Sequence, residues 1–169
     1  MATNAEWRQA YARQAKADFN TFQRIQFLDP AIPECHRLQF LQMACEKLVK
    51  AHLFGGKTAP NNLQMSHAVI AKHLPVVLRE RATTVNYKGK AARAALDYSK
   101  KLSHELEMLA PAVKRGGKRP DNCEYPWEDD QSEIHAPIDW TFTPTQLLIE
   151  RHGRTVLRLI AESIDNYVI

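Results

Sequence analysis

The chain of 169 residues has only three cysteines. It also has no apolar run near the roughly 18 to 20 residues that a membrane-spanning helix needs. Cys35, Cys45 and Cys123 are an odd number without C-x-x-C spacing. They exclude a disulfide-dense secreted scaffold and lead us to expect a reducing, cytoplasmic setting with no membrane contact. The first ten residues lack an apolar core and hold Glu6, Trp7 and Arg8, unlike a signal peptide. No internal repeat and no collagen-like period is present. A hydrophobic fraction of 44% and a charged fraction of 25% exclude wholesale disorder. The length fits one domain that buries roughly two thirds of its unfolded surface.

The formal net charge of +4 conceals a division. Residues 1–119 carry 20 basic and 9 acidic side chains, a balance of +11, and residues 120–169 carry 3 and 10, a balance of −7. This fits either a basic surface for an anionic partner or a basic body folded against its own acidic tail.

Apolar spacing predicts an all-α protein, an antiparallel bundle of four to five helices. Trp7, Tyr11, Ala15, Phe19, Phe22 and Ile25 or Gln26 form one stripe over Ala5 to Gln26, closed by Asp29-Pro30 and Pro33. Leu38, Leu41, Cys45, Leu48 and His52 form a second over Glu34 to Phe54, with His52 expected in the core and Gly55-Gly56 as the stop. A third helix is expected from Ser66 to Arg81, kinked or split at Pro75. A fourth, Lys88 to Leu109, should bury Ala91, Ala94, Ala95, Tyr98, Leu102, Leu106 and Leu109 before a basic loop at 114–119. The last should run from Thr145 to Val168, with Gly153 breaking or delaying its first turn. Between them, residues 111–144 mix prolines, acids and aromatics, including Tyr125, Trp127, Trp140 and Phe142. We expect an ordered excursion there, packed on the bundle, with a short strand pair around Ile134 to Phe142.

Several groups could carry chemistry. Gly56-Lys57-Thr58 resembles the end of a P-loop, but Ala51 stands where the motif's first glycine belongs and a helix precedes it. Cys123, Glu124, Asp129, Asp130 and His135 could supply metal ligands, though their spacing matches no familiar zinc pattern. Neither a metal nor a cofactor is therefore expected. Cys45 lies on an apolar face and reads as core; Cys35 and the adjacent His36 point in different directions on a helix. Arg151-His152-Gly153-Arg154 places a titratable base beside two fixed cations, partners that phosphodiester chemistry requires; the same residues could be a solvated turn. On the second helix Arg37, Gln42, Glu46, Lys47 and Lys50 form a polar row opposite the apolar one. Its Glu46–Lys50 pair is worth a few tenths of a kcal/mol on a helix surface.

That helix, His36-Arg37-Leu38-Gln39-Phe40-Leu41-Gln42-Met43-Ala44-Cys45-Glu46-Lys47-Leu48-Val49-Lys50-Ala51, resembles the signature helix of HEPN (higher eukaryotes and prokaryotes nucleotide-binding) domains. The family pattern Q-x-A-x-E-K-x-x-K-A is matched in register by Gln42, Ala44, Glu46, Lys47, Lys50 and Ala51. Trp7, Ala15, Asp18 and Phe22 are similar to the family's first helix. The resemblance covers roughly residues 5–110. It implies a single HEPN-like domain over 1–169, with core helices at about 5–110 and 145–168, that pairs as a homodimer through its helices. Many such proteins are ribonucleases using an Arg followed four to six residues later by His, and none of the seven histidines here has an Arg so placed. The resemblance therefore implies a non-catalytic binding or regulatory protein. Its partner would be a nucleotidyltransferase or another component of a bacterial toxin–antitoxin or defence system. Arg37, Gln42, Glu46, Lys50, Tyr125 and Trp127 are the expected binding residues. The alternatives are a ribonuclease with a diverged pair drawn from Arg151, His152 and Arg154, or a passive nucleic-acid binder.

Overall fold

Two uninterrupted apolar stripes, each closed by Pro or Gly, should give two long helices, and they do. In a computed structural model that describes residues 2–28, 31–56, 63–113 and 120–167, α1 spans Asn4–Leu28 and α2 spans Glu34–Phe54. The Lys57-Thr58 pair, the Asp29-Pro30 turn, the basic loop at 114–119 and Val168 lie outside the described residues. Trp7 and Tyr11 stack on Phe54 at 6.0 and 5.7 Å between centroids. At the other end Arg37 lies over Phe22, so the two helices run antiparallel. Asp18 of α1 and Lys47 of α2 pair at 2.8 Å between those ends. Gly55 and Gly56 close α2, their N–H groups bonded to Ala51, His52 and Leu53 carbonyls.

α3 spans Ile70–Thr84 and α4 spans Gly89–Glu107, joined by a tight turn in which the Tyr87 N–H donates to Ala82 O at 2.8 Å. α3 starts four residues later than Ser66, after a 3-10 turn at Leu63–Met65. The reason is its cap: Glu107, at the end of α4, accepts the Ala71 N–H at 2.9 Å. That carboxylate occupies the positive end of α3 and satisfies one of its orphan donors. Pro75 does not split α3, which continues through it. In its first turns the proline leaves only the Ala71 carbonyl without its helical donor. On α4 the buried face is Ala92, Ala95, Ser99, Leu102, Ser103 and Leu106, whereas Ala91 is exposed. Steps of three and four from Leu106 reach either alanine, but the face that also buries Ser99 and Ser103 is centred closer to Ala92 and leaves Ala91 at its edge.

The expected last helix is two. α5 (Thr143–Ile149) and α6 (Arg151–Asp165) meet at Glu150, whose ψ of 156° is extended. The break thus precedes Gly153, which lies inside α6 against the end of α5. A Cβ there would stand 1.8 Å from Leu147 O, so only glycine lets α5 fold back this closely. Side chains satisfy the carbonyls at the end of α5: the Tyr98 hydroxyl donates to Leu147 O at 3.0 Å and the Arg154 guanidinium to Ile149 O. Among the described residues the expected all-α bundle thus has six α-helices rather than four to five, because the last is divided. α6 runs antiparallel to α1, with Lys16 facing Asp165 and Arg8 donating to the Tyr167 hydroxyl near its end. The core joins Phe19 and Phe22 to Leu38, Leu41 and Leu48, to Leu74 and Leu78, and to Leu102, Leu106, Leu159 and Ile160.

The excursion is ordered where described. Its strands, β1 (Trp127–Glu128) and β2 (Ile134–His135), are antiparallel, with Trp127 opposite His135. Ile134 therefore pairs upstream with Glu128, not with residues toward Phe142. A 3-10 turn at Pro137–Asp139 and the buried Phe142 lead into α5. The Cys123 N–H, donating to Leu109 O at 3.3 Å, ties the excursion to the end of the α4 segment. Among the described residues no helix is long and apolar enough to cross a membrane.

Replacing Gly153 by Ala should lower stability by about 3 kcal/mol, the upper range for overpacking, because backbone is what it meets. Urea denaturation measures this; an unchanged midpoint would mean that α5 does not rest on α6 as described.

Candidate functional site

Gln42, Glu46 and Lys50 are spaced one turn apart on α2, so they fall on one strip. The strip is not the solvated surface expected of it. Gln42 is 4% exposed, Glu46 9% and Lys50 2%. Lys50 Nζ donates to Glu46 Oε1 at 2.8 Å and to Gln64 O at 3.1 Å. Gln42 Nε2 donates to Glu46 Oε2 at 3.2 Å, and His67 Nδ1 lies 3.3 Å from the same oxygen. Both carboxylate oxygens are thus engaged, as a buried charge requires. Lys50 Nζ also lies 5.6 Å from the centre of the Tyr11 ring, within cation–π range. Burial, and then the charge of Glu46, push the Tyr11 hydroxyl above its ordinary pKa.

These residues form one side of an open cleft of about 580 Å³, within the size range of ligand pockets. Glu124 and Tyr125 of the excursion line its other side. Tyr125 is held there through its backbone by the buried Asn122. Asn122 Oδ1 accepts the Glu124 and Tyr125 N–H groups at 2.9 and 2.8 Å, and Nδ2 donates to Tyr125 O at 3.1 Å. The Tyr125 ring itself is 61% exposed.

Arg37 and Trp127 do not belong to this cleft. Arg37 lies on another side of α2, where it makes two hydrogen bonds to Glu34. It lines a cleft of about 480 Å³ with Phe22, Leu157, Arg154 and Arg158. Trp127 is buried and borders a third, of about 360 Å³, with Trp140 and Asp130. Strand alternation would set Tyr125 and Trp127 on one face; they part because the chain bends at residues 123–125 before β1 begins. Lys47 is engaged by Asp18.

The Arg151–His152–Arg154 group is divided as well. Arg151 and His152 share a cleft of about 490 Å³ with Tyr87, Lys90 and Thr155. Arg154, two positions on, faces the apolar cleft with Arg37. Of the metal-ligand set considered from sequence, Asp129 and His135 come together, with Glu133 as the third member; their ligand atoms lie within 4.8 Å of one another. Cys123 is buried elsewhere. Asp129 is occupied within the hairpin: Oδ1 accepts the Gln131 and Glu133 N–H groups, and Oδ2 lies 2.8 Å from His135 Nε2. The His135 bond, then the backbone bond from Glu133, hold the Asp129 carboxyl below its ordinary 3.8. Burial pushes the Cys45 thiol up to about 12, which removes its nucleophilic form. His52, expected in the core, is half-buried and 3.6 Å from Glu80.

Sequence reasoning missed His67, Gln64 and Asn122. His67 follows an irregular turn, and no spacing rule connects it to Glu46. An Asn two residues after a proline in a non-helical stretch is a candidate for an Asx turn, its side chain bonding the backbone two residues on, the one signal that could have pointed to Asn122.

Replacing Lys50 by Met should cost about 3 kcal/mol, because Glu46 keeps its charge and loses its cation. Adding Glu46→Gln should recover part of that loss, and urea denaturation of the four-member cycle measures the coupling. Additive losses would mean that the pair is not coupled. Because the Asp129 pKa is depressed on folding, its bonds support the hairpin above the ordinary carboxyl value of 3.8 and are lost as pH falls through the lowered value. Fluorescence of Trp127 and Trp140 should report that transition, and Asp129→Asn should abolish it. A transition that survives the substitution would assign it to another group. In comparisons with protein-family models, curated proteins and solved structures, nothing matches this chain.

Proposed function

We propose that this chain is a non-catalytic HEPN-like binding and regulatory protein. Its partner is a nucleotidyltransferase or another component of a bacterial toxin–antitoxin or defence system. The observation that carries this reading is the Gln42–Glu46–Lys50 row. The residues that resemble the family's helix are buried, bonded to one another, and form the side of a cleft that carries an exposed tyrosine. A carboxylate with both oxygens engaged is a positioned structural element, not a base awaiting a proton. Tyr125 supplies what protein recognition uses most often, an aromatic side chain with a polar end. The divided charge of the chain favours an electrostatically guided encounter.

The ribonuclease reading retains one supporting observation: Lys90, Arg151, His152 and the Tyr87 ring border one cleft. Its third member, Arg154, faces elsewhere.

Purification of the full chain with the products of neighbouring genes tests the proposal. A protein should be retained at low and moderate salt, and Tyr125→Ala should weaken retention about 10-fold or more, as loss of an interface anchor does. Retention of none of them would overturn it. So would RNA cleavage by the purified chain that is lost in His152→Ala.

A further inference from the structure

The cleft between α1, α2, α5 and α6 has an apolar lining that includes Phe22, Ile149 and Leu157, and a polar one made only of Arg37, Arg154 and Arg158 and one glutamine. No carboxylate lines it. Arg37 is held by Glu34, Arg154 by Ile149 O and Arg158 by Glu162 at 3.8 Å, so all three guanidinium groups are placed by contacts within the chain. A guanidinium has five donors, and one or two internal bonds leave others for an incoming anion. Ile149 is 60% exposed beside them. Apolar side chains ringed by arginines suit an acidic partner that also carries large apolar side chains.

The same chain has such a surface elsewhere. From Pro120 to Glu150 there is no Lys or Arg and there are eight carboxylates. Within this stretch Ile134 is 72% exposed, Ile138 64% and Trp140 38%. The carboxylates of Glu128, Asp130, Glu133 and Asp139 belong to exposed residues around them. In the folded chain these apolar side chains face solvent, and the arginine cleft is not covered by them.

We infer that the chain self-associates reciprocally, the acidic excursion of each copy docking in the arginine-lined cleft of the other. A closed two-fold pair satisfies both surfaces of both copies. It also differs from pairing of helix against helix, since each contact joins a loop surface to a cleft. Of the arginines in the cleft, Arg37 comes from the basic part of the sequence, and Arg154 and Arg158 are two of the three basic residues in 120–169. The contact weakens as salt rises, because exposed charges are screened over about 10 Å at 0.1 M salt.

Sedimentation velocity on the full chain tests this. A dimer is expected at low salt, with dissociation promoted by high salt. Arg158→Glu alone, and Arg154→Glu/Arg158→Glu together, should each raise the dimer dissociation constant at least about 10-fold. Glu128→Lys/Asp130→Lys should do the same from the other side of the contact. Arg158→Glu leaves the α5 cap intact and gives up within the chain only the exposed pair with Glu162, worth little on a helix surface, so it separates lost docking from lost folding; circular dichroism verifies that each variant is helical. Mixing the double arginine variant with the double acid variant should restore dimers that neither forms alone, because both contacts then join opposite charges. A wild-type chain that is monomeric throughout would overturn the inference. So would a dimer indifferent to both variants, or a mixture that stays monomeric. Binding of a synthetic acidic peptide to the cleft of such a monomer would assign the cleft to a different partner and overturn it equally.

Discussion

The cationic head of Lys50 is the constraint around which the described half of the site is arranged. A lysine 2% exposed is stable as a cation only where a counter-charge and further acceptors compensate lost hydration. Glu46 supplies the first, the Gln64 carbonyl the second and the Tyr11 ring face a third contact. These come from α2 itself, from the segment after it and from α1. One charge therefore fixes where three parts of the chain meet. Gln42 and His67 complete the coordination of Glu46, and the direction of the 63–67 segment follows. The bond from Lys50 to Gln64 O also fixes the backbone just before α3.

How far such arrangements can be read from residues depends on how local their causes are. α2 is legible to the residue, Glu34 to Phe54, because an unbroken apolar period is flanked by Pro33 and Gly55. The start of α3 is not, since its cap acceptor, Glu107, lies 36 positions from Ala71. The break at Glu150 is equally hidden: no glycine or proline occupies it. Gly153, which looks like a breaker, is instead the point where two helices touch.

The candidate site follows the same division. Spacing alone puts Gln42, Glu46 and Lys50 on one strip, so their mutual bonds are legible. Their burial is not, because Gln64 and His67, residues 110–112, and Glu124 and Tyr125 border the strip from distant parts of the sequence. Arg151, His152 and Arg154 illustrate the opposite error. Close neighbours in sequence, they divide: His152 and Arg154, two apart, lie on opposite sides of α6, and Arg151, the first residue of the helix, lines the cleft of His152. Tyr125 and Trp127, two positions apart, are separated by the bends at residues 123–125.

Asn122 has an effect on Tyr125 that is entropic. A surface loop bearing a recognition side chain ordinarily gives up backbone freedom when a partner binds, at about 1 to 2 kcal/mol for each residue fixed. Here the amide of a single buried asparagine holds the Glu124 and Tyr125 backbone through three hydrogen bonds and makes a fourth to Pro120 O. The chain has already lost that freedom on folding. What remains to be ordered at Tyr125 is a ring with two torsions, so contacts made there convert into affinity with little loss.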